Sequence, residues 1–346
     1  MRLYIYIFIL LLLCIFPLGA QQERSESYIR ISAPVSLAGA LDEIESQTNY
    51  SFIYDAQVIN LSEKVRKSLS GRTVFEILNL LFKNTEIVYT VMNDQIILNK
   101  KEAPMELSKR LTAVAGLVTE GASVADIGTD HGYIPIHLIE QNLSPKVIAM
   151  DINKGPLERA RIHIAGYGMS DRIETRLSDG LAAVKPKEVE EMIVAGMGGG
   201  LVIHILEEGK QIVSTLKGCI LQPQSEIQKV REYLVEHGFW FEAEDMVEED
   251  GKYYPMMRVV PPEYCEHKTA DRQEDCKKEE WEYLYGPLLL KNKNPILYEY
   301  LKREIRIRED ILLGLAGKDG ERIKERMTEI EHELEVAKKA MSYYEE

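Results

Sequence analysis

Apolar positions keep two different rhythms along this chain. Up to Lys100 the segments are short and mixed. "YIRISAPVS" alternates like a strand, "LAGALDEIESQTN" sets Leu37, Leu41 and Ile44 on one helical face, and "YSFIYDA" alternates again. "KVRKSLSG" then leads into "TVFEILNLLFKNT", where Val74, Leu78 and Leu81 share a face, and "EIVYTVMNDQIILN" predicts a hairpin turned at Asn93-Asp94. Two strand–helix–strand halves over residues 21–100 predict a small α+β module with no catalytic constellation.

After Met105 the pattern becomes regular strand–helix alternation. "SVADIG", "KVIAMDIN", "IETRLSDG", "EMIVAGMGGG" and "GCILQPQ" predict strands. "YIPIHLIEQN", "GPLERARIHIAGYG", a segment from Leu201 and "EIQKVREYLVEHG" predict the helices between them. "FWFEAEDMVEEDGKYYPMMRVV" predicts two antiparallel strands. Such alternation gives a doubly wound, mostly parallel sheet over residues 105–262, with ligands bound at the carboxyl ends of its strands. Over residues 280–346 the pattern is purely helical. Leu297, Leu301, Ile305, Leu312 and Leu315 mark one helix, Gly317 to Gly320 a turn, and Ile323, Met327, Ile330, Leu334, Ala337 and Met341 a second. The second helix carries a coiled-coil seam, so the two predict an antiparallel pair.

Composition adds three constraints. Residues 1–20, "MRLYIYIFILLLLCIFPLGA", have one early cation, a short apolar run, and Pro17, Gly19 and Ala20 at the end, which predicts a cleavable signal peptide. A formal charge of −14 excludes indiscriminate coating of nucleic acid but not a local basic face. Outside the leader, Cys219, Cys265 and Cys276 are odd in number with no metal-like spacing, as expected of reduced thiols in a cytoplasmic protein. No metal site is predicted.

The polar residues of the second module gather at its strand ends: Asp126, Gly128, Asp130, Gly132, Asp151, Asp179, Gly180 and Gly196 to Gly200. A dinucleotide would need G-x-G-x-x-G to bring a helix N-terminus against its pyrophosphate. "DIGTDHGY" instead places Asp130 where a phosphate would be repelled. An acidic turn suits a cationic, phosphate-free nucleoside, and S-adenosylmethionine is one. Asp151, about 20 residues on, is placed to bond ribose hydroxyls, and Asp179 to approach the adenine amine. Each residue alone is an ordinary turn former; four in register are not. The predicted cofactor contacts are Asp126, Gly128, Asp130, Gly132, Asp151, Ile152, Asp179, Gly180, Gly196 and Met197.

"LSKRL", "VADIGTDHGYIP", "SDGL", "IVAGMGGGLVIHIL", "ILQPQ" and "EEDGKYYPMM" occur in the order found in bacterial tRNA (adenine(22)-N1)-methyltransferases of the TrmK family, which the chain resembles from Met105 to its end. The resemblance implies a class I, Rossmann-like methyltransferase fold, S-adenosylmethionine as donor, and N1 of a tRNA adenine as acceptor. Gln224 departs from the family pattern, which more often has Asn there. "AGMGGG" follows the fourth strand, whereas enzymes that methylate the exocyclic N6 carry an Asn/Asp-Pro-Pro-aromatic motif. N1 lies on the Watson–Crick edge, so the base must be unpaired or extruded. His131 and Tyr133 are expected to hold it by stacking and Gln222 by amide hydrogen bonds. Lys109, Arg110, Lys302, Arg303 and Arg306 are the expected phosphate contacts, with Arg308 on the same helix.

Residues 28–100 resemble the secretin/TonB short N-terminal domain, in "SLAGALDEIESQTNYSFIYD" and "SGRTVFEILNLLFKNTEIVYTV". That resemblance implies a periplasmic module contacting envelope proteins. The leader points to export, whereas S-adenosylmethionine and tRNA are cytoplasmic. The simplest account of the conflict is two open reading frames joined at "NKKEAP", with "MELSKRL" like the natural start of the enzyme.

Overall fold

A computed structural model describes residues 28–55, 59–83, 85–92, 94–101, 105–265 and 279–345. The predicted leader, Asn93 of the hairpin turn, the "EAP" of the junction, Cys14 and Cys276 lie outside these residues. The chain divides into two compact units, Met1–Lys100 and Lys101–Glu346.

In the first unit, strands β1 (Ile29–Ile31) and β2 (Val35–Ser36) precede helix α1 (Leu37–Gln47) and β3 (Ser51–Tyr54). Then come β4 (Lys64–Val65), β5 (Leu69–Arg72), α2 (Val74–Phe82), β6 (Ile87–Met92) and β7 (Gln95–Lys100). The single strand expected for "YIRISAPVS" is two: β1 pairs with β5 and β2 with β4. Pro34 between them has no N–H to give a ladder. β3, β7 and β6 form a three-stranded sheet. α2 opens with a capping box, Thr73 and Glu76 each accepting the other's backbone N–H. Ile31, Leu41, Ile44, Ile77, Leu78 and Ile96 fill the unit's own core.

The second unit opens with α3 (Lys109–Gly116), then β8 (Val124–Ile127), α4 (Tyr133–Glu140), β9 (Val147–Asp151), α5 (Lys154–Gly166) and β10 (Ile173–Leu177). β11 (Glu191–Gly198), α6 (Gly199–Glu208), α7 (Lys210–Val213), β12 (Gly218–Ser225), α8 (Ile227–Glu236), β13 (Trp240–Glu249) and β14 (Lys252–Val260) follow. They make a seven-stranded sheet in the order β10-β9-β8-β11-β12-β14-β13. β8 to β12 pair in parallel, and β14 is antiparallel to both neighbours. α6 starts at Gly199, two residues before the predicted Leu201.

Helices cover both sheet faces, which is why "VADI" and "VIAM" are buried without alternation. Ala125, Ile127, Ile148 and Met150 pack toward α6, α7 and α8. Val124, Val147 and Ala149 pack toward α3, α4 and α5. Cys219 is a buried free thiol, and burial pushes its pKa up. Among the described residues, no helix is long and apolar enough to cross a membrane.

After the short helix α9 (Pro262–Cys265), α10 (Glu280–Tyr285), α11 (Pro287–Lys291), α12 (Pro295–Leu315) and α13 (Glu321–Ser342) build a helical arm. Tyr298 near the start of α12 meets Tyr344 beyond the end of α13, whereas Arg308 further along meets Glu333, so α12 and α13 run antiparallel. The expected narrow seam is found in part. Ile330 and Ala337 are buried, but so are Val336 and Ala340, because Tyr285, Leu289 and Leu290 close over that end of α13. Met246 of β13 joins this cluster, so the arm covers the sheet's edge strand.

Candidate active site

The sheet register brings the polar strand ends together. Ile127 of β8 lies opposite Met150 of β9 and Val194 of β11, Leu177 of β10 lies opposite Asp151, and Ala195 lies opposite Gln222 of β12. From β8 the chain steps outward to β9 and β10, and from β11 it steps the other way to β12. The crevice above β8 and β11 is therefore the switch point, where doubly wound sheets take their ligands.

The turn after β8 is held tightly. Gly128 N and Thr129 N both donate to Met150 O at 2.8 Å. Gly128, His131 and Gly132 all have left-handed backbones, with φ of 76°, 55° and 70°. The φ of Gly128 favours glycine there, while a Cβ would sit 2.1 Å from Met197 Cε and displace only the end of that flexible side chain. Asp126, at the foot of the turn, is buried, which raises its carboxyl to about 6, with the nearby Thr129 hydroxyl a smaller opposing influence. Asp151 is half-buried at the tip of β9, and its Oδ1 accepts from Asn153 N at 2.6 Å. Ile152 beside it is 58% exposed, a large apolar side chain open at the mouth. Asp130 and Asp179 are exposed, and Gly180 and Gly196 have positive φ.

His131 and Tyr133 stack on each other, with centroids 5.3 Å apart and planes 17° off parallel. His163 stands edge-on to both rings, and its Nδ1 donates to His131 O at 2.7 Å. A carbonyl can only accept, so that contact fixes the proton on Nδ1. The stack is half-exposed and offers an aromatic surface beside the Gly128 turn.

Gln222 does not stand as expected. Its side chain is 0% exposed, its Oε1 accepts from Arg110 Nη1 at 3.0 Å, and its Nε2 donates to Pro223 O at 3.2 Å. An amide so committed is not presented to an incoming base. Arg110, expected as a phosphate contact, is half-buried and reaches the ends of β11 and β12, with Cζ 5.6 Å from the Tyr254 ring centroid. Lys109 is exposed, and its backbone N donates to Glu249 Oε1 at 2.6 Å.

Among the cations of α12, Arg303 lies against the β13–β14 hairpin. Arg303 Nη1 donates to Gly251 O at 3.4 Å and lies 5.7 Å from the Tyr253 centroid. Lys302 meets Glu299 at 3.3 Å and Arg306 meets Asp310 at 4.0 Å. Arg308 belongs to the arm's interior, paired with Glu304 and Glu333. Successive strand residues point to opposite faces, so Tyr253 and Tyr254 carry Arg303 and Arg110 on the two sides of one hairpin.

The Methyltransferase domain family matches residues 107–257. The tRNA (adenine(22)-N(1))-methyltransferase of Bacillus subtilis (strain 168) is 31% identical over 240 residues, which span 69% of this chain and 98% of that protein. The chain belongs to the tRNA (adenine(22)-N(1))-methyltransferase family. Two solved structures agree with this placement. The B. subtilis M1A22 tRNA methyltransferase TrmK is 30% identical, with a TM-score of 0.58 over 69% of this chain and all of that one. M. capricolum TrmK, in complex with S-adenosyl-homocysteine, is 29% identical, with a TM-score of 0.56 over 69% of this chain and 99% of that one.

As a tRNA (adenine(22)-N(1))-methyltransferase family member, the chain has a site whose two halves differ in charge. Above β8 to β10 the edge is acidic, with Asp126, Asp130, Asp151 and Asp179 and a turn unsuited to phosphate. That donor set fits a cationic nucleoside. Above β11 and β12 stand Arg110, Gln224 and the open backbone of Gly196. The sequence offered Arg110 only as a phosphate contact, without its bond to Gln222, and gave no signal for Tyr254 and His163 beside these residues. "LSKRL" was a signal for Arg110, but its contact with Gln222 spans 112 positions, beyond any local period.

Proposed function

We propose that the second unit transfers a methyl group from S-adenosylmethionine to N1 of an adenine in tRNA, the adenine at position 22 as in the B. subtilis relative's name. The observation that carries this reading is that relative's match over nearly its whole length, onto a sheet whose switch point has an acidic, phosphate-excluding turn. When bound, S-adenosylmethionine supplies an electrophilic sulfonium methyl.

The residues of this chain then have separate tasks. Asp151 accepts from the ribose hydroxyls and Asp179 from the adenine amine, while Asp126 faces the donor's cationic end from beneath the turn. Gly128 and Gly132 let the backbone approach the donor, and Ile152 packs on its apolar faces. The stacked His131–Tyr133 pair receives the extruded base. Adenine N1 attacks with an in-plane lone pair and becomes cationic, so no residue has to remove a proton first. Placement in line with the methyl supplies most of the rate. Lys109, Arg110, Lys302, Arg303 and Arg306 contact the tRNA backbone. Residues 1–100 take no part in the transfer, and the joining of two reading frames accounts for their presence.

The test is incubation of the full chain with S-adenosylmethionine and unmodified tRNA, followed by nucleoside mass spectrometry. Formation of 1-methyladenosine is expected, and its loss when the adenine at position 22 is replaced by guanine. Methylation at N6, or at another position, would overturn the assignment.

A further inference from the structure

We infer that Arg110 grips the acceptor strand by the phosphate next to the nucleotide being methylated, and that Gln222 is its positioning residue. The inference rests on the tRNA-methylation reading above and assigns roles that reading leaves open.

Arg110 is half-buried and held from below. Its helix begins at a fixed point, with Ser108 Oγ accepting from Leu111 N at 3.3 Å and Glu249 accepting from Lys109 N at 2.6 Å. The guanidinium then lies against Tyr254 and gives one N–H to Gln222 Oε1. Guanidinium carries only donors, so the Gln222 amide must turn its oxygen to it, and Pro223 O takes the amide's other end. Gln222 is wholly buried and aims Arg110 without meeting a ligand itself.

Arg110's charge is left uncompensated. Among the described residues its partners are an amide and a ring, not a carboxylate. By contrast, Lys302, Arg306 and Arg308 each have a carboxylate within 4.0 Å. Exposed Gly196 stands beside it, flanked by two N–H groups. A Cβ on Gly196, whose φ is 82°, would stand 3.6 Å from both Arg110 Nη1 and Gln224 Nε2. The facing half of the site carries four aspartates, which repel an RNA backbone. A phosphate entering this crevice is drawn to the Arg110 side.

The base itself is the wrong partner for this group. A donor aimed at adenine N1 would occupy the lone pair that attacks the methyl. It would also set a fixed positive charge beside the one that methylation creates, and like charges at contact range repel strongly in a partly buried site. The phosphodiester is anionic before and after transfer and suits a fork of N–H donors.

The experiment uses the full chain with tRNA and S-adenosylmethionine, comparing wild type with Arg110→Gln, Arg110→Lys and Gln222→Met. Arg110→Gln removes the charge and the fork while leaving a polar side chain at that position. It should leave donor affinity within about twofold and raise the KM for tRNA roughly 10–150-fold, the worth of one hydrogen bond to a charged group. The log–log salt dependence of tRNA binding should flatten by about 0.7–0.9, one phosphate contact. Arg110→Lys should restore the salt slope but only part of the KM, because a point charge lacks the fork. Gln222→Met should keep the salt slope and lower kcat/KM, since the charge remains but is no longer aimed. A wild-type KM and salt slope in Arg110→Gln overturn the inference, as does equal damage to donor and tRNA binding in that variant. An inactive wild type on tRNA would instead sink the methylation reading, which separates the two failures.

Discussion

Arg231 of α8 and Glu244 of β13 form an ion pair with both side chains almost wholly buried, 1% and 0% exposed, and Nε 2.9 Å from Oε1. Arg231 Nη1 also donates to Tyr283 O and Leu284 O, and Glu244 Oε2 accepts from Leu288 N. One pair thus ties the sheet's edge to the corner between α10 and α11. Gly286 at that corner has a φ of 100°, and a Cβ there would come within 2.8 Å of both charged groups. Glu244→Ala should cost about 3–5 kcal/mol by leaving Arg231 buried and unpaired. Gly286→Ala should also destabilise. Urea denaturation of each variant measures this, and wild-type midpoints would mean the corner is not a latch.

Asp126 gives a pH signature. Its folded-state value of about 6 lies above the ordinary 3.8, so the folded state binds more protons than the unfolded one between those values. Stability contributed by this group is full below pH 4 and is lost as pH rises through about 6. Asp126→Asn should therefore stabilise the ligand-free protein at pH 8 by about 1–3 kcal/mol, with the gap closing toward pH 4. If the donor's cationic end meets the carboxylate, wild-type affinity for S-adenosylmethionine should rise between pH 5 and 7, with proton release. Calorimetry in buffers of different ionisation enthalpy reads both, and a flat profile would place the cation elsewhere.

At Asp151 the expected loss is in donor binding. Asp151→Ala should weaken S-adenosylmethionine affinity by about 1.5–3 kcal/mol, the range for hydrogen bonds to a charged group. Because Asp151 Oδ1 also accepts from Asn153 N, Asp151→Asn separates the turn from the charge. Unchanged affinity in both variants would move the ribose away from β9.

Changing Lys302, Arg303 and Arg306 together to Ala should leave donor affinity intact. It should weaken tRNA binding and flatten its salt dependence by about 0.7–0.9 log unit per lost contact. Turnover should return at saturating tRNA. Lys302 and Arg306 have carboxylates nearby, so Arg303, on the hairpin, should dominate. Identical salt slopes would make α12 a solvated face.

Residues 105–346 should fold, bind S-adenosylmethionine and methylate tRNA without the first 104. Their clusters above and below the sheet and in the arm draw only on residues from Met105 onward. A folded but inactive fragment beside an active full chain would contradict this.

The apolar pattern alone determined the alternation of strands and helices, the polar strand ends and the antiparallel arm, because each depends on neighbours within a few positions along the chain. That Asp126, Gly128, Asp151 and Gly196 stand at strand ends was legible for the same reason: a strand end and its turn are local chemistry. The break at Pro34 and the broad buried stripe of α13 were not read, since one depends on which strands pair and the other on what closes over the helix. Tertiary structure alone decided that Gln222 is buried beneath Arg110, that Arg110 reaches the ends of β11 and β12, and that Arg231 and Glu244 tie the arm to the sheet. A glutamine or arginine has the same local propensity whether it faces water or a buried partner. What separates the two cases is desolvation, which is set only when segments more than a hundred residues apart, as Arg110 and Gln222 are, come into contact.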